Sequence, residues 1–215
     1  MRSYPGGMQL FGQGEQAGDV YLIRSGAIKL VWTDIEGRET IVGLRWPGSF
    51  LGLPAIIAGL PNPATAVTLT PCTVEQVPGG RFLQMLRANA LLAMRVHEAQ
   101  SREIVEQMLD LGELAIVSAK MRFISLLQRL TCSVSSQVCL PDGRLRLPLK
   151  KKELAALLAI TPEHLSRMLN ELASEGVIAV NRQWIIIRNL SDASGAAADN
   201  GSTTGRVRRL VSQTG

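Results

Sequence analysis

Residues 149–189 read LKKKELAALLAITPEHLSRMLNELASEGVIAVNRQWIIIRN, and their pattern decides how the chain is built. Leu154, Leu157 and Leu158 give a first short helix its buried side. Residues 159–161 make a turn, and Thr161 followed by Pro162 marks a helix start. The threonine hydroxyl can cap the free amides there, and the N–H that proline lacks is not missed in a first turn. In the helix that follows, Leu165, Met168, Leu169 and Leu172 fall at i, i+3, i+4 and i+7, a core-facing stripe. Gly176 ends it, and VIAV, NR and QWIIIR then read as strand, turn and strand. Two helices joined by a tight turn and followed by a β wing make a winged helix-turn-helix. Trp184 is expected to pack the wing against the helices.

The remaining face of the second helix carries Glu163, Ser166 and Arg167, also spaced i, i+3, i+4, in its first two turns. A recognition helix enters the major groove N-terminus first, so its early polar residues reach base edges. Arginine can bond both guanine O6 and N7, and glutamate can accept from cytosine N4. Lys150, Lys151 and Lys152 open the first helix, where they suit phosphate contacts. Thr161, His164 and Arg182 complete the expected DNA-facing set. An ordinary amphipathic hairpin with a solvated polar face would share much of this pattern. The turn, the cap, the wing and the local charge together favour the DNA reading.

Charge is divided unevenly along the chain. Residues 1–119 carry nine basic and eleven acidic side chains, whereas residues 120–190 carry eleven basic and five acidic ones. A neutral-to-acidic first part joined to a basic second part suits a sensing module joined to an anion-binding one.

Ahead of the basic part, residues 4–78 alternate glycines with short strand-like runs such as VYLIRSG, AIKLVWT and TIVGL. Such runs read as an antiparallel barrel or roll, with a hairpin at TDIEGRET around Gly37. From Arg81 to Leu130 there is one glycine and no proline, so helix is expected. Within it Ile104, Met108, Leu111 and Ala115 form a narrow stripe that runs back to Ser101 and His97. The stripe suits a coiled-coil partner and a homodimer, and periodicity alone leaves open that it packs on the chain's own barrel. Ser118 can cap a second helix, which places a hinge at residues 114–118. Residues 191–215 are low in complexity and read as a disordered tail. The expected domains are therefore 1–88 for the roll, 89–117 for the dimerisation helix, 118–190 for the winged helix-turn-helix and 191–215 for the tail. The fold class is α+β.

Composition narrows the chemistry. Two histidines, His97 and His164, leave almost no room for histidine catalysis or a zinc hydrolase site. Cys72, Cys132 and Cys139 are an odd set without a CxxC, so neither a disulfide framework nor a zinc ribbon is expected. Cys72 reads as a small buried hydrophobe on a strand. The longest apolar stretch, residues 51–61, is broken by prolines and too short for a membrane span. No secretory signal is visible, and the cytoplasm is the default location. No metal and no cofactor are expected.

The string FGQGEQAGDVYLIRSGAIKLVWTDIEGRETIVGLRWPGSFLG, residues 11–52, resembles the β-roll of the CRP/FNR transcription regulators. The resemblance runs from Tyr4 to Arg188 and keeps the order of roll, long helix and winged helix-turn-helix. It implies a DNA-binding homodimer whose long helices pair, with RNA polymerase as a further partner. The E-x-x-S-R spacing of Glu163, Ser166 and Arg167 resembles the FNR/FixK branch, which implies a TTGAY-like half-site. The cAMP-receptor branch has an arginine where this chain has Pro162.

The departures concern the effector. Cyclic-AMP-binding members of the family place a glutamate after the glycine matching Gly52 and an Arg-Ser pair downstream. Here Leu53 and Asn62-Pro63 stand in those places, and Arg45 is the sole charged residue between Glu39 and Glu75. There is no cysteine before Cys72 for an iron–sulfur cluster, and residues 46–66 hold no Cys or His for a haem. The sequence begins close to the roll's first strand, so the short N-terminal helix usual in the family is either absent or lost to a misplaced start. The expected function is a sequence-specific transcription regulator that does not respond to cAMP, and no enzyme activity is expected. The alternatives are a cyclic-nucleotide-dependent regulator with an unusual pocket and, more distantly, a thiol-redox enzyme using Cys132 and Cys139.

Overall fold

The computed structural model describes residues 1–133, 144–146, 149–181 and 184–187. Two compact units divide the chain, the first built on Met1–Ser101 and the second starting with Arg102–Cys132.

The first unit is an antiparallel β-roll. One sheet orders β1 (Arg2–Tyr4), β8 (Cys72–Pro78), β3 (Asp19–Ser25) and β6 (Phe50–Leu51) side by side. The other orders β2 (Gln9–Phe11), β7 (Thr65–Thr68), β4 (Ile28–Thr33) and β5 (Glu39–Arg45). Gly37, at φ 79°, turns the chain between β4 and β5, the hairpin that TDIEGRET predicts. The core of the roll packs Tyr21, Ile23, Ile28, Leu51, Ala66, Cys72 and Val74 together. Cys72 is thus the buried strand residue that the sequence leads one to expect.

Strand β3 buries both of its faces, which is why VYLI reads as a continuous apolar run. Val20 and Val77 turn away from the roll's interior toward a helical layer made by α1 (Leu53–Ala58), α2 (Gly79–Ala88) and the start of α3 (Ala90–Ile116). There Val20, Leu53, Phe82 and Val96 form a second core, with the Phe50 and Phe82 ring centroids 5.9 Å apart. The helical stretch ahead of Ser118 is therefore two helices. Asn89 separates them, and its side-chain oxygen accepts from the Leu92 N–H at 2.9 Å to start the second.

In the second unit α4 (Ala119–Ser133) follows α3, and Ser118 caps it as expected, its hydroxyl accepting from the Met121 N–H at 3.4 Å. Phe123, Leu126, Leu127 and Leu130 bury its inner face at helical spacing. Helices α5 (Lys151–Leu157) and α6 (Pro162–Ser174) pack together, and α6 also packs on β10 (Ile178–Asn181). The wing is a three-stranded sheet: β10 pairs with β11 (Trp184–Ile187), and β11 pairs with β9 (Arg144–Arg146). Arg182, Cys139 and the tail at 191–215 lie outside the described residues.

Gly26 shows how tightly the roll closes. Its φ is 87°, and a Cβ there would overlap the Pro71 carbonyl oxygen and the Cys72 sulfur. Gly26→Ala combines a left-handed backbone with that clash and should cost about 2–4 kcal/mol, read as a lowered denaturation midpoint.

Candidate nucleic-acid interface

Helix α6 is positioned by its own chemistry. Thr161, at φ −78° and ψ 155°, lies outside the helix, and its hydroxyl oxygen accepts from the His164 N–H at 3.2 Å. Pro162 sits in the first turn, and Gly176, at φ 73°, follows the end. Leu165, Met168, Leu169 and Leu172 are all buried. Because these four fill one side, Glu163, His164 and Arg167 are left exposed on the other, with Ser166 at its edge.

The polar groups on that face are already oriented. The Glu163 carboxyl is held below its ordinary range, first by its own backbone N–H at the helix start, then by the Thr161 hydroxyl and the Arg167 guanidinium. It is therefore an ionised acceptor at neutral pH. The Ser166 hydroxyl donates to the Pro162 carbonyl at 2.9 Å. Its proton is used within the helix, so it offers its neighbours a methylene and oxygen lone pairs.

Helix α5 begins with Lys150, Lys151 and Lys152, all exposed. Cations at a helix N-terminus oppose the helix dipole, so these lysines do nothing for the helix that carries them. Glu153 offsets them by accepting from the Lys150 N–H at 2.8 Å. The turn into α6 passes through Ala159 at φ 51°, a left-handed conformation that a non-glycine residue adopts at a cost. Its own N–H and that of Ile160 bond back to Ala156 and Ala155 at 3.0 Å each. The far end of α6 is held by Lys120 of α4, whose ammonium reaches Glu175 at 2.6 Å and Glu171 at 3.3 Å.

The structure thus brings Thr161, Glu163, His164, Ser166 and Arg167 onto one short helix start. The three lysines open the preceding helix, and Arg182 lies outside the described residues. Sequence reasoning missed Lys120 and strand β9. The alternation Arg144-Leu145-Arg146-Leu147 is the signal that could have found the strand.

Farther up the chain, Leu92 and Val96 of α3 pack on the roll, and Ile104, Met108, Leu111 and Ala115 are exposed. Leu111 is 68% exposed and Met108 67%. Burial pushes the Cys72 thiol up, which makes it a poor nucleophile. Among the described residues no cluster of His, Cys, Asp or Glu could hold a metal ion. Nor is any described helix long and apolar enough to cross a membrane.

Residues 1–89 match the model of the cyclic nucleotide-binding domain family, and residues 121–192 match that of the Crp-like helix-turn-helix domain. The cyclic AMP receptor protein of Thermus thermophilus is 28% identical over 188 residues, covering 87% of this chain and 83% of that protein. The fumarate and nitrate reduction regulatory protein of Shigella dysenteriae is 27% identical over 183 residues, covering 85% and 72%. The solved structure of FixK2 from Bradyrhizobium japonicum shares the fold, with a TM-score of 0.71 over 89% of this chain and 93% of that one at 21% identity. A cyclic-nucleotide-type roll and a Crp-like helix-turn-helix, in this order and on one chain, place the protein in the CRP/FNR family of DNA-binding transcription regulators.

Proposed function

We propose that the protein acts as a homodimer that binds a TTGAY-like inverted repeat and does not respond to cAMP. The observation that carries this reading is the division of α6 into a buried leucine face and an exposed Glu163-Ser166-Arg167 face. Residues 1–88 form the sensory roll, 89–117 the pairing helix, 118–190 the DNA-binding part and 191–215 a tail. RNA polymerase is the expected second partner on the promoter.

At the DNA, Arg167 reads the guanine through two parallel hydrogen bonds. The ionised Glu163 accepts from a cytosine amine opposite or beside it. Ser166 lies against a thymine, where its methylene suits the base's methyl group. Thr161, His164 and Arg182 complete the proposed DNA-contacting set. Lys150, Lys151 and Lys152 neutralise phosphates, supplying affinity that is blind to sequence and sensitive to salt. Two such faces related by a two-fold axis require half-sites about one helical turn apart.

The dimer reading rests on the stripe Ile104, Met108, Leu111 and Ala115, which no described residue of the chain covers. Pairing two copies of α3 would bury it. The cAMP reading rests on the roll. Leu53 is fully buried in the second core, where it leaves no carboxylate for ribose hydroxyls. Asn62 is also buried, and its main chain is tied to Gly14 and Glu15. Residues 52–64 supply no arginine for a cyclic phosphate, and an unpaired buried charge costs several kcal/mol, enough to erase micromolar binding.

Four outcomes test this. Replacing Ile104 and Met108 by Glu should give monomers in sedimentation that lose specific DNA binding, whereas an unchanged dimer contradicts the stripe's role. Calorimetry should find no micromolar complex with cAMP or cGMP. A one-to-one complex would instead support a cyclic-nucleotide-dependent regulator. Arg167→Ala should cost about 1–3 kcal/mol on a TTGAY duplex and relax the preference at the guanine. Lys151→Ala should weaken all sequences alike and lower the salt slope by about one. An Arg167→Ala protein with undiminished preference would show that another face reads the bases.

A further inference from the structure

Arg122 occupies a position that neither the DNA face nor the pairing stripe explains. It lies on the first turn of α4, half-buried, directly after the break between α3 and α4. One terminal nitrogen of its guanidinium donates to the carbonyls of Glu113 and Leu114, each at 3.4 Å, and to that of Val117. The other donates to the Leu158 carbonyl at 2.6 Å. Glu113 and Leu114 lie in the last turn of α3, and Val117 directly follows it, its own N–H donating to the Glu113 carbonyl at 2.9 Å. Leu158 ends α5, the first helix of the DNA-binding pair. One planar cation thus ties together the last turn of α3, the start of α4 and the entry to the turn before α6.

The chemistry suits a fixed joint. Helix C-termini gather partial negative charge, and a cation placed there is favourable. Arginine offers several donors in one rigid plane, so its bonds to different helices fix angles as well as distances. A lysine keeps the charge without that fork. A second link between α4 and α3 is of a different kind: Arg129 reaches Asp110 at 3.4 Å and Glu106 at 3.6 Å on the surface. Exposed ion pairs of that sort constrain little.

We infer that Arg122 is a positioning residue for DNA recognition: it locks the α3–α4 joint and so sets the spacing and angle of the two recognition helices in the dimer. It touches no DNA in this account. The inference rests on the paired-helix reading above, and its test separates the two.

The test uses the full chain with a spin label on Ala173→Cys of α6, an exposed position, and with Cys132→Ser and Cys139→Ser. Sedimentation first establishes that the unmodified joint gives a dimer; a monomer would overturn the dimer reading and this inference with it. In the dimer, electron–electron distances between the two labels should be narrowly distributed. Arg122→Gln should keep the dimer but broaden the distribution, Arg122→Lys should fall between, and Arg129→Gln should match the parent.

In the unlabelled protein, Arg122→Gln should bind an isolated half-site as before. It should lose about tenfold on the full inverted repeat, because two faces held at the wrong spacing forfeit the gain from simultaneous engagement. Its preference among repeats with altered spacers should flatten. If Arg122→Gln does not fold, Arg122→Lys alone carries the comparison. An unaltered distance distribution and spacer preference in either variant overturns the inference, even with a lower melting temperature. Equal losses on half-site and full site overturn it too.

Discussion

The structure depends on α6 having one face to spend on the core. Leu165, Met168, Leu169 and Leu172 are buried against α5 and β10, and nothing else on the helix can take their place. Once they are inside, the rotation of the helix about its axis is fixed, and with it the direction in which Glu163 and Arg167 point. The cap from Thr161 and the strained Ala159 then fix where the helix begins and how it leaves α5. The proposed base-reading face therefore follows from a packing requirement. A slip of one residue in the stripe would carry Arg167 about 100° around the axis, away from the groove.

The roll obeys a different constraint. Its two sheets enclose one core, while Val20, Val77 and the short α1 hold a helical layer against the outer face of one sheet. The connection from β6 to β7 is apolar. Leu53 and Ala55 of α1 are buried there, and Arg45 is the sole charged side chain between Glu39 and Glu75. This scaffold keeps the shape of a nucleotide-binding domain, and its β6–β7 connection, residues 52–64, carries no charged side chain. The DNA-binding unit keeps its charges, with Lys150–Lys152 and Arg167 exposed.

Much of this was legible in residue order. The Thr161-Pro162 start, the leucine stripe and Gly176 lie within one stretch of local periodicity and turn chemistry, and each reappears at the residue expected. The glycine-punctuated strands and the hairpin at Gly37 were legible for the same reason. What escaped depended on distant partners. Strand β9 is three residues long and exists through its pairing with β11, some forty positions away. Helix α1 has six residues, too few to show a period. The break at Asn89 falls between two stretches of helix formers, and only the capping amide geometry reveals it. Arg122 was invisible because its acceptors are main-chain carbonyls, which every residue carries.

The central claim is that a two-fold pair of α6 helices reads DNA bases. An unbiased selection of random duplexes by the full-length protein tests it most directly. The account predicts enrichment of an inverted repeat whose half-sites contain TTGAY and whose centres lie about one helical turn apart. Enrichment of a single unrepeated motif, or binding with no sequence preference at moderate salt, would contradict it.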